Sequence, residues 1–294
     1  MLLNMLLSRV CNYDCAFCIE KTKEDTRDDS SLDTFLRKAN HLIDSSLVDE
    51  VLLLGGEPLY YRGIAELIRG LHVKPIITTN GYRLLDESFT RQIDLGRIKA
   101  MNISLPHHDH SKRQEVIRTP CLSDEELEKV VLNAGMPVRM NVVLMRDYIG
   151  TAGEIDMMIE FARALGITSI KFGELTGVDG STHDFIDPEV LRFNQSQYCP
   201  IPIQEMREVC HEKGGTHFYK NIRGIDVFFN SAPDFALAGG RDKRGRYYHA
   251  VLFNDGKLGF SWRRQDGLYE DENEFLRAAY ANLTQRKDQS VLVH

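Results

Sequence analysis

No run in this 294-residue chain reaches the roughly 18 consecutive apolar residues that a membrane-crossing helix requires. The apolar start, MLLNMLLSRVC, has no positively charged lead and no small-residue cleavage site, so it reads as a buried strand rather than a signal peptide. Positive charge is in deficit. The net charge of -7 gives nucleic acid or an acidic membrane surface no general purchase. Internal repeats and low-complexity linkers are missing as well. Cysteine is sparse, with six in all, but three of them fall within eight residues. Such bunching excludes a disulfide scaffold and suits a metal site in a reducing cytoplasm. What is present, 43% hydrophobic and 27% charged residues, supplies one large core or a core with an appendage.

Apolar and amphipathic stretches alternate along the first 173 residues. Strands are expected at Asn4–Val10, Glu50–Leu54, Pro75–Thr79, Lys99–Leu105, Val138–Met145 and Ile167–Gly173. Between them, helices are expected at Ser31–Leu47, Arg62–Leu71, Asp86–Leu95, Ser123–Asn133 and Thr151–Leu165. The segment after the fourth strand reads as a long polar loop. About six β-α units predict an α/β fold with a parallel sheet, and eight would be needed for closure. A partial (β/α)6 barrel over residues 1–175 is therefore expected. Residues 176–294 form an extension with β-rich stretches at Ile225–Asn230 and Tyr247–Trp262 and a closing helix at Glu272–Gln285. Asn254-Asp255-Gly256, set between apolar arms, marks a hairpin turn there.

In parallel β/α architectures function gathers at the C-terminal ends of strands. Cys11, Cys15 and Cys18, spaced C-x3-C-x2-C, follow strand one. Gly55-Gly56-Glu57-Pro58 follows strand two, and Thr79-Asn80-Gly81 strand three. Ser104 ends strand four, Asn141 and Arg146 lie in and after strand five, and Glu174 follows strand six. Three cysteinates on an iron–sulfur cubane leave one iron open to another ligand. Glycines at 55 and 56 allow a close backbone approach, Glu57 can accept from an ammonium, and Pro58 stiffens the loop's exit.

The cysteine spacing, with the aromatic Phe17 before the third cysteine, and GGEP after the second strand resemble the radical S-adenosylmethionine (SAM) superfamily. The nearest branch is that of the molybdenum-cofactor GTP cyclase and the twitch/SPASM enzymes. This resemblance implies a TIM-like partial barrel in which Cys11, Cys15 and Cys18 ligate one [4Fe–4S] cluster, with Phe17 shielding it. The open iron would chelate SAM, the backbone of Gly55, Gly56 and Glu57 would meet its amino group, and Ser104 and Asn141 would lie near its ribose or carboxylate. A reductant such as flavodoxin or ferredoxin would supply the electron that cleaves SAM, and the 5′-deoxyadenosyl radical would take hydrogen from a small-molecule substrate.

Blander readings stand beside these. Three cysteines plus His107, His108 or His110 would make a zinc site, which leaves GGEP unexplained. Thr79 and Asn80 suit turn chemistry as well as cofactor contact. Ser104 and Asn141 suit the satisfaction of neighbouring backbone. His107, His108 and His110 suit either a solvated loop or substrate binding and proton transfer. Cys121 is a candidate hydrogen donor, or an inert buried thiol.

The stretch AVLFNDGKLGFSW resembles the hairpin of the twitch/SPASM appendage, yet no cysteine follows Cys210. One cluster and a degenerate appendage are expected. Basic residues gather at RDKRGR, which contains Arg244 and Arg246, near Trp262. With Arg146 and Glu174 they form the candidate substrate set, pointing to a nucleotide, a nucleotide sugar or a similar anion. The alternatives are a peptide-modifying radical SAM maturase and a non-catalytic iron–sulfur or zinc protein.

Overall fold

The computed structural model describes residues 1–20, 30–175, 187–200, 211–212, 217–230, 247–262 and 264–284. Strands β1 (Leu2–Leu6), β2 (Glu50–Leu54), β3 (Ile76–Thr79), β4 (Ala100–Ser104), β5 (Val138–Leu144) and β6 (Ser169–Glu174) lie side by side in chain order, all parallel. Helices α1 (Leu32–Asp44), α2 (Ile64–Gly70), α3 (Glu87–Thr90), α4 (His110–Ile117), α5 (Asp124–Leu132) and α6 (Ala152–Ala164) make the crossovers. Sequence chemistry sets their starts. The Ser31 hydroxyl accepts from the Thr34 N–H at the head of α1, and Ser123/Glu126 and Thr151/Glu154 form capping boxes on α5 and α6.

The period-2 alternation of each strand sorts its two faces. Leu3, Met5, Val51, Leu53, Ile77, Met101, Ile103, Met140, Val142, Ile170 and Phe172 belong to the main core shared with the helices. Their alternates face inward. Leu6 and Leu54 pack there with Val251, Phe253 and Trp262.

Three expectations are corrected. The first strand stops at Leu6, because residues 8–10 leave the ladder to pair with the loop after β2. The third helix shrinks to one turn, since Asp86 caps it and Asp94 caps a separate 3₁₀ turn directly afterwards. The polar loop after β4 contains α4. Asp109 caps this helix by accepting from Lys112 N–H, and it buries Arg113, Val116 and Ile117. Its sequence lacks an apolar stripe, so periodicity passes over it.

The second half builds onto both edges of the same sheet. Helix α7 (Pro188–Gln197) precedes β7 (His211–Glu212), β8 (His217–Ile222) and β9 (Ile225–Asn230). β9 lies parallel to β6, with β8 and then β7 antiparallel outside it. At the other edge β10 (His249–Leu252) lies parallel to β1, and β11 (Leu258–Gly259) turns back on it through a hairpin with Gly256 at φ 81°. Six parallel strands thus become eight, and the sheet stays open among the described residues. The hairpin expected in the C-terminal extension forms here, with β10 joined to the edge of the sheet at β1. The closing helix α8 (Glu272–Thr284) docks on α1. Arg37 pairs with Glu272, and the Tyr280 hydroxyl donates to Ser45 O at 2.6 Å. Among the described residues no helix is long and apolar enough to cross a membrane.

Candidate functional site

The ends of β1, β2 and β3 are tied together by backbone and by one carboxylate. Gly56 N–H donates to Ser8 O at 2.7 Å, and Glu57 N–H to Val10 O at 2.8 Å. A Cβ at position 56 would stand 2.4 Å from Val10 O, and one at 55 would stand 2.4 Å from Ser8 O, where φ is also +142°. The two glycines are therefore required by the segment leading into Cys11. Pro58 opens a 3₁₀ turn, Pro58–Tyr60, in which Pro58 and Leu59 are buried.

Glu57 is 1% exposed. Its Oε1 accepts from the Thr79 hydroxyl at 2.6 Å and from Leu59 N–H at 3.0 Å, and its Oε2 accepts from Asn80 N–H at 2.7 Å. Desolvation pushes its pKa up to about 7, against the pull of those donors. The side chain that the sequence offered to an ammonium is thus spent on the loop after β3. Thr79 also accepts from Gly81 N–H, and Asn80 Oδ1 accepts from Tyr82 N–H, both as turn chemistry. Asn80 Nδ2 then reaches the cysteine loop, at 2.8 Å from Asn12 Oδ1 and 3.9 Å from Cys11 Sγ.

The cysteine loop is held from two further sides. Asp14 N–H and Ala16 N–H donate to Ile117 O and Val116 O at the end of α4. The Phe17 carbonyl accepts from Asn194 Nδ2 of α7 at 3.3 Å, while the Phe17 ring packs against the buried cluster of Val116, Met145, Tyr148 and Leu175, as do Val143, Phe193 and Tyr198. Cys18 N–H donates to Cys15 O at 3.2 Å, and Tyr13 N–H donates to Cys11 Sγ at 3.3 Å. Three thiols therefore sit on one short, clamped loop with Cys11 exposed and the other two half-buried. Three soft sulfur donors carried on one short loop have the chemistry of an iron–sulfur ligand set.

Other predicted residues separate into two groups. Ser104 is exposed at the end of β4, directly across from Asn141 on β5, which pairs in turn with Lys171 on β6. These three share the inner face. His107, by contrast, is buried. Its Nδ1 accepts from Asp109 N–H at 2.9 Å and its ring stacks on His108, while the fully buried Arg113 donates to the carbonyls of both. Burial and the neighbouring His108 hold His107 near pKa 4, so it stays neutral at pH 7. His110 opens α4 in solvent. Cys121, 9% exposed, donates to Gln114 Oε1, and burial raises its pKa.

Arg146 and Glu174 both engage the segment after α7. Arg146 donates to Tyr198 O, and the Tyr198 hydroxyl donates to Glu174 at 3.3 Å. Trp262 lies inward beside His249. Arg244 and Arg246 lie outside the described residues, as does Cys210.

Two inner-face cations escaped the sequence reading. Arg139 on β5 donates through Nε to Asn141 Oδ1 at 3.2 Å, and Lys171 sits diagonally across on β6. Desolvation, reinforced by the Arg139 charge, lowers Lys171 from 10.5 to about 8. Among the described residues no carboxylate offsets either charge. The signal was available: in VRMNVVL and SIKFGE each basic residue occupies the position alternate to the apolar core face.

Residues 5–187 match the model of the radical SAM superfamily. The chain is 26% identical over 209 residues to a GTP 3′,8-cyclase of Campylobacter jejuni, covering 67% of this chain and 63% of that protein. It is 31% identical over 156 residues to the GTP 3′,8-cyclase of Clostridium perfringens, covering 50% and 47%. The chain thus spans less than two thirds of the length of these relatives. In fold it is similar to Streptococcus suis SuiB bound to S-adenosylmethionine, with a TM-score of 0.60 and 19% identity over 88% of this chain and 59% of that one.

Proposed function

From the premise that the chain belongs to the radical SAM superfamily, whose members bind a [4Fe–4S] cluster and SAM, we propose that it is an enzyme acting on a small anionic substrate of the nucleotide class. Cys11, Cys15 and Cys18 are the residues that would hold the cluster. When bound, the cluster supplies the electron that cleaves SAM reductively, so that the 5′-deoxyadenosyl group can abstract a substrate hydrogen. In this reading the backbone carbonyls of Gly55 and Gly56 receive the SAM amino group, since that group donates and a carbonyl oxygen accepts, while the N–H groups of Gly56 and Glu57 bind Ser8 and Val10. Ser104 and Asn141 line the path between that loop and the inner face. A flavodoxin- or ferredoxin-like protein is the proposed electron donor, and the cytoplasm the proposed setting.

The observation that carries the substrate class is the Arg139–Lys171 pair. Two cations side by side and partly desolvated repel one another, and such an arrangement is stabilised by an anion. The likeness to GTP 3′,8-cyclases makes a nucleoside triphosphate the first candidate. The test is calorimetric titration of GTP into reconstituted protein, alongside an assay of 5′-deoxyadenosine release with dithionite and SAM. Lys171→Met and Arg139→Met should each weaken binding on the order of tenfold, the usual cost of losing a charged hydrogen bond. Affinity in the parent should also fall as the pH rises through about 8, where Lys171 loses its proton, and stay flat in Lys171→Met. Unchanged affinity in both variants removes the anionic-substrate reading, and no SAM cleavage removes the enzyme.

A further inference from the structure

Asn80 makes more bonds than a turn needs. Its backbone N–H is fixed by the Glu57 carboxylate at 2.7 Å, and its Oδ1 accepts from Tyr82 N–H at 3.0 Å. Because Tyr82 N–H is a donor, the atom facing it must be the oxygen, which assigns the amide orientation without ambiguity. The NH2 group is thereby pointed at the cysteine loop. An amide nitrogen carries two hydrogens. One is taken by Asn12 Oδ1 at 2.8 Å, and the other is directed at Cys11 Sγ, 3.9 Å away. Asn80 is 8% exposed, so water competes weakly for these hydrogens. Thr79-Asn80-Gly81 would turn the chain without this, since the Oδ1 contact alone makes the turn.

We infer that Asn80 is a positioning residue for the Cys11 corner of the cluster, holding the cysteine loop through Asn12 and directing an N–H at the Cys11 sulfur. The inference rests on the reading that Cys11 is a cluster ligand. Partial positive charge beside a cysteinyl sulfur stabilises the extra electron of the reduced cluster and raises its reduction potential. The same contact slows departure of the sulfur from iron. Asn80 is in turn fixed by Glu57, so the loop after β2 sets the environment of a residue after β1 through a residue after β3.

Ser at position 80 separates the two roles. Its hydroxyl retains the acceptor for Tyr82 N–H but is too short to reach Cys11. Parent, Asn80→Ser and Asn12→Ala proteins are reconstituted anaerobically, their iron is counted, and they are titrated between potentials by electron paramagnetic resonance. A parent that takes up no iron defeats the cluster reading itself, which keeps that failure distinct from failure of the inference. Asn80→Ser should load iron, show a more negative midpoint, and lose iron to a ferrous chelator roughly two- to tenfold faster, as expected for one hydrogen bond. Asn12→Ala, whose Asn80 amide has only the sulfur to serve, should not move the midpoint downward. An Asn80→Ser midpoint equal to the parent's overturns the inference. Should Asn80→Ser load too little iron to titrate, Asn80→Gln decides. With its amide hydrogens retained it should load, and failure there as well overturns the inference.

Discussion

Glu57 shows how a residue can be legible in a motif while the partners of its side chain are not. GGEP was legible as a motif, but the sequence gives no sign of which partner the carboxylate meets. That depends on Thr79 and Asn80 arriving from another strand, at 2.6 and 2.7 Å. The protonation consequence is specific. Its pKa is raised from 4.5 to about 7 when folded, so between those values the folded state holds a proton that the unfolded state has released. Stability therefore falls as the pH rises from about 5 to 7, by about 3 kcal/mol at most, the span of that shift. Thermal melts across this range should show the midpoint falling in the parent. Glu57→Gln, which cannot ionise, should lose that slope while sitting lower at pH 5, because its NH2 group opposes Asn80 N–H. An identical slope in the variant would assign the pH dependence elsewhere. Arg139 and Lys171 were hidden for a related reason. Each is visible as a basic residue in a strand, yet only the register Asn141↔Lys171 makes them neighbours.

Among elements, α7 has an effect out of proportion to its length. The sequence marks no helix here, because its apolar contacts, Val190 and Phe193, are few and its key groups are amides. Asn194 holds the Phe17 carbonyl, Gln197 is bonded to Asp147 through both ends of its side-chain amide, and Glu189 pairs with Arg118 at 2.8 Å. The helix thus joins the cysteine loop to the turn after β5 and to the end of α4. Asn194→Ala should leave the distant α1 amides as protected as before, but speed hydrogen exchange of the Ala16 and Cys18 amides. The expected loss of stability is about 1 kcal/mol, that of a buried hydrogen bond. Unchanged exchange in the 14–18 segment would show that α7 merely rests on the loop. The β-α alternation was legible because each core strand alternates cleanly, whereas α4 and α7 were obscured by the polar groups that let them pin loops.

At the scale of the molecule, the division of the chain near residue 175 crosses a single sheet. β9 flanks β6 over five residues, and β10 flanks β1 over four. Ala250, Leu252, Phe260 and Phe275 enter the main core, and Val251 and Phe253 cover Leu6. A fragment of residues 1–175 would expose both outer strands and that apolar surface. Such a fragment is expected to be insoluble or to unfold without a cooperative transition, as followed by circular dichroism in urea. A soluble fragment with a steep transition would restore the two-part division. The second half could not be placed from sequence because parallel pairing between β1 and β10 leaves no local signature.

That pairing also governs timing. Asn4 donates its side-chain amide to Ala250 O, 246 positions along the chain. The strand that leads into Cys11 is made long before the strand that becomes its second neighbour. Closing so long a loop is slow relative to local helix formation. Until β10 arrives, the cysteine loop hangs from a strand with one side bare. Any step that needs the finished loop accordingly waits until β10 has been made and has docked beside β1.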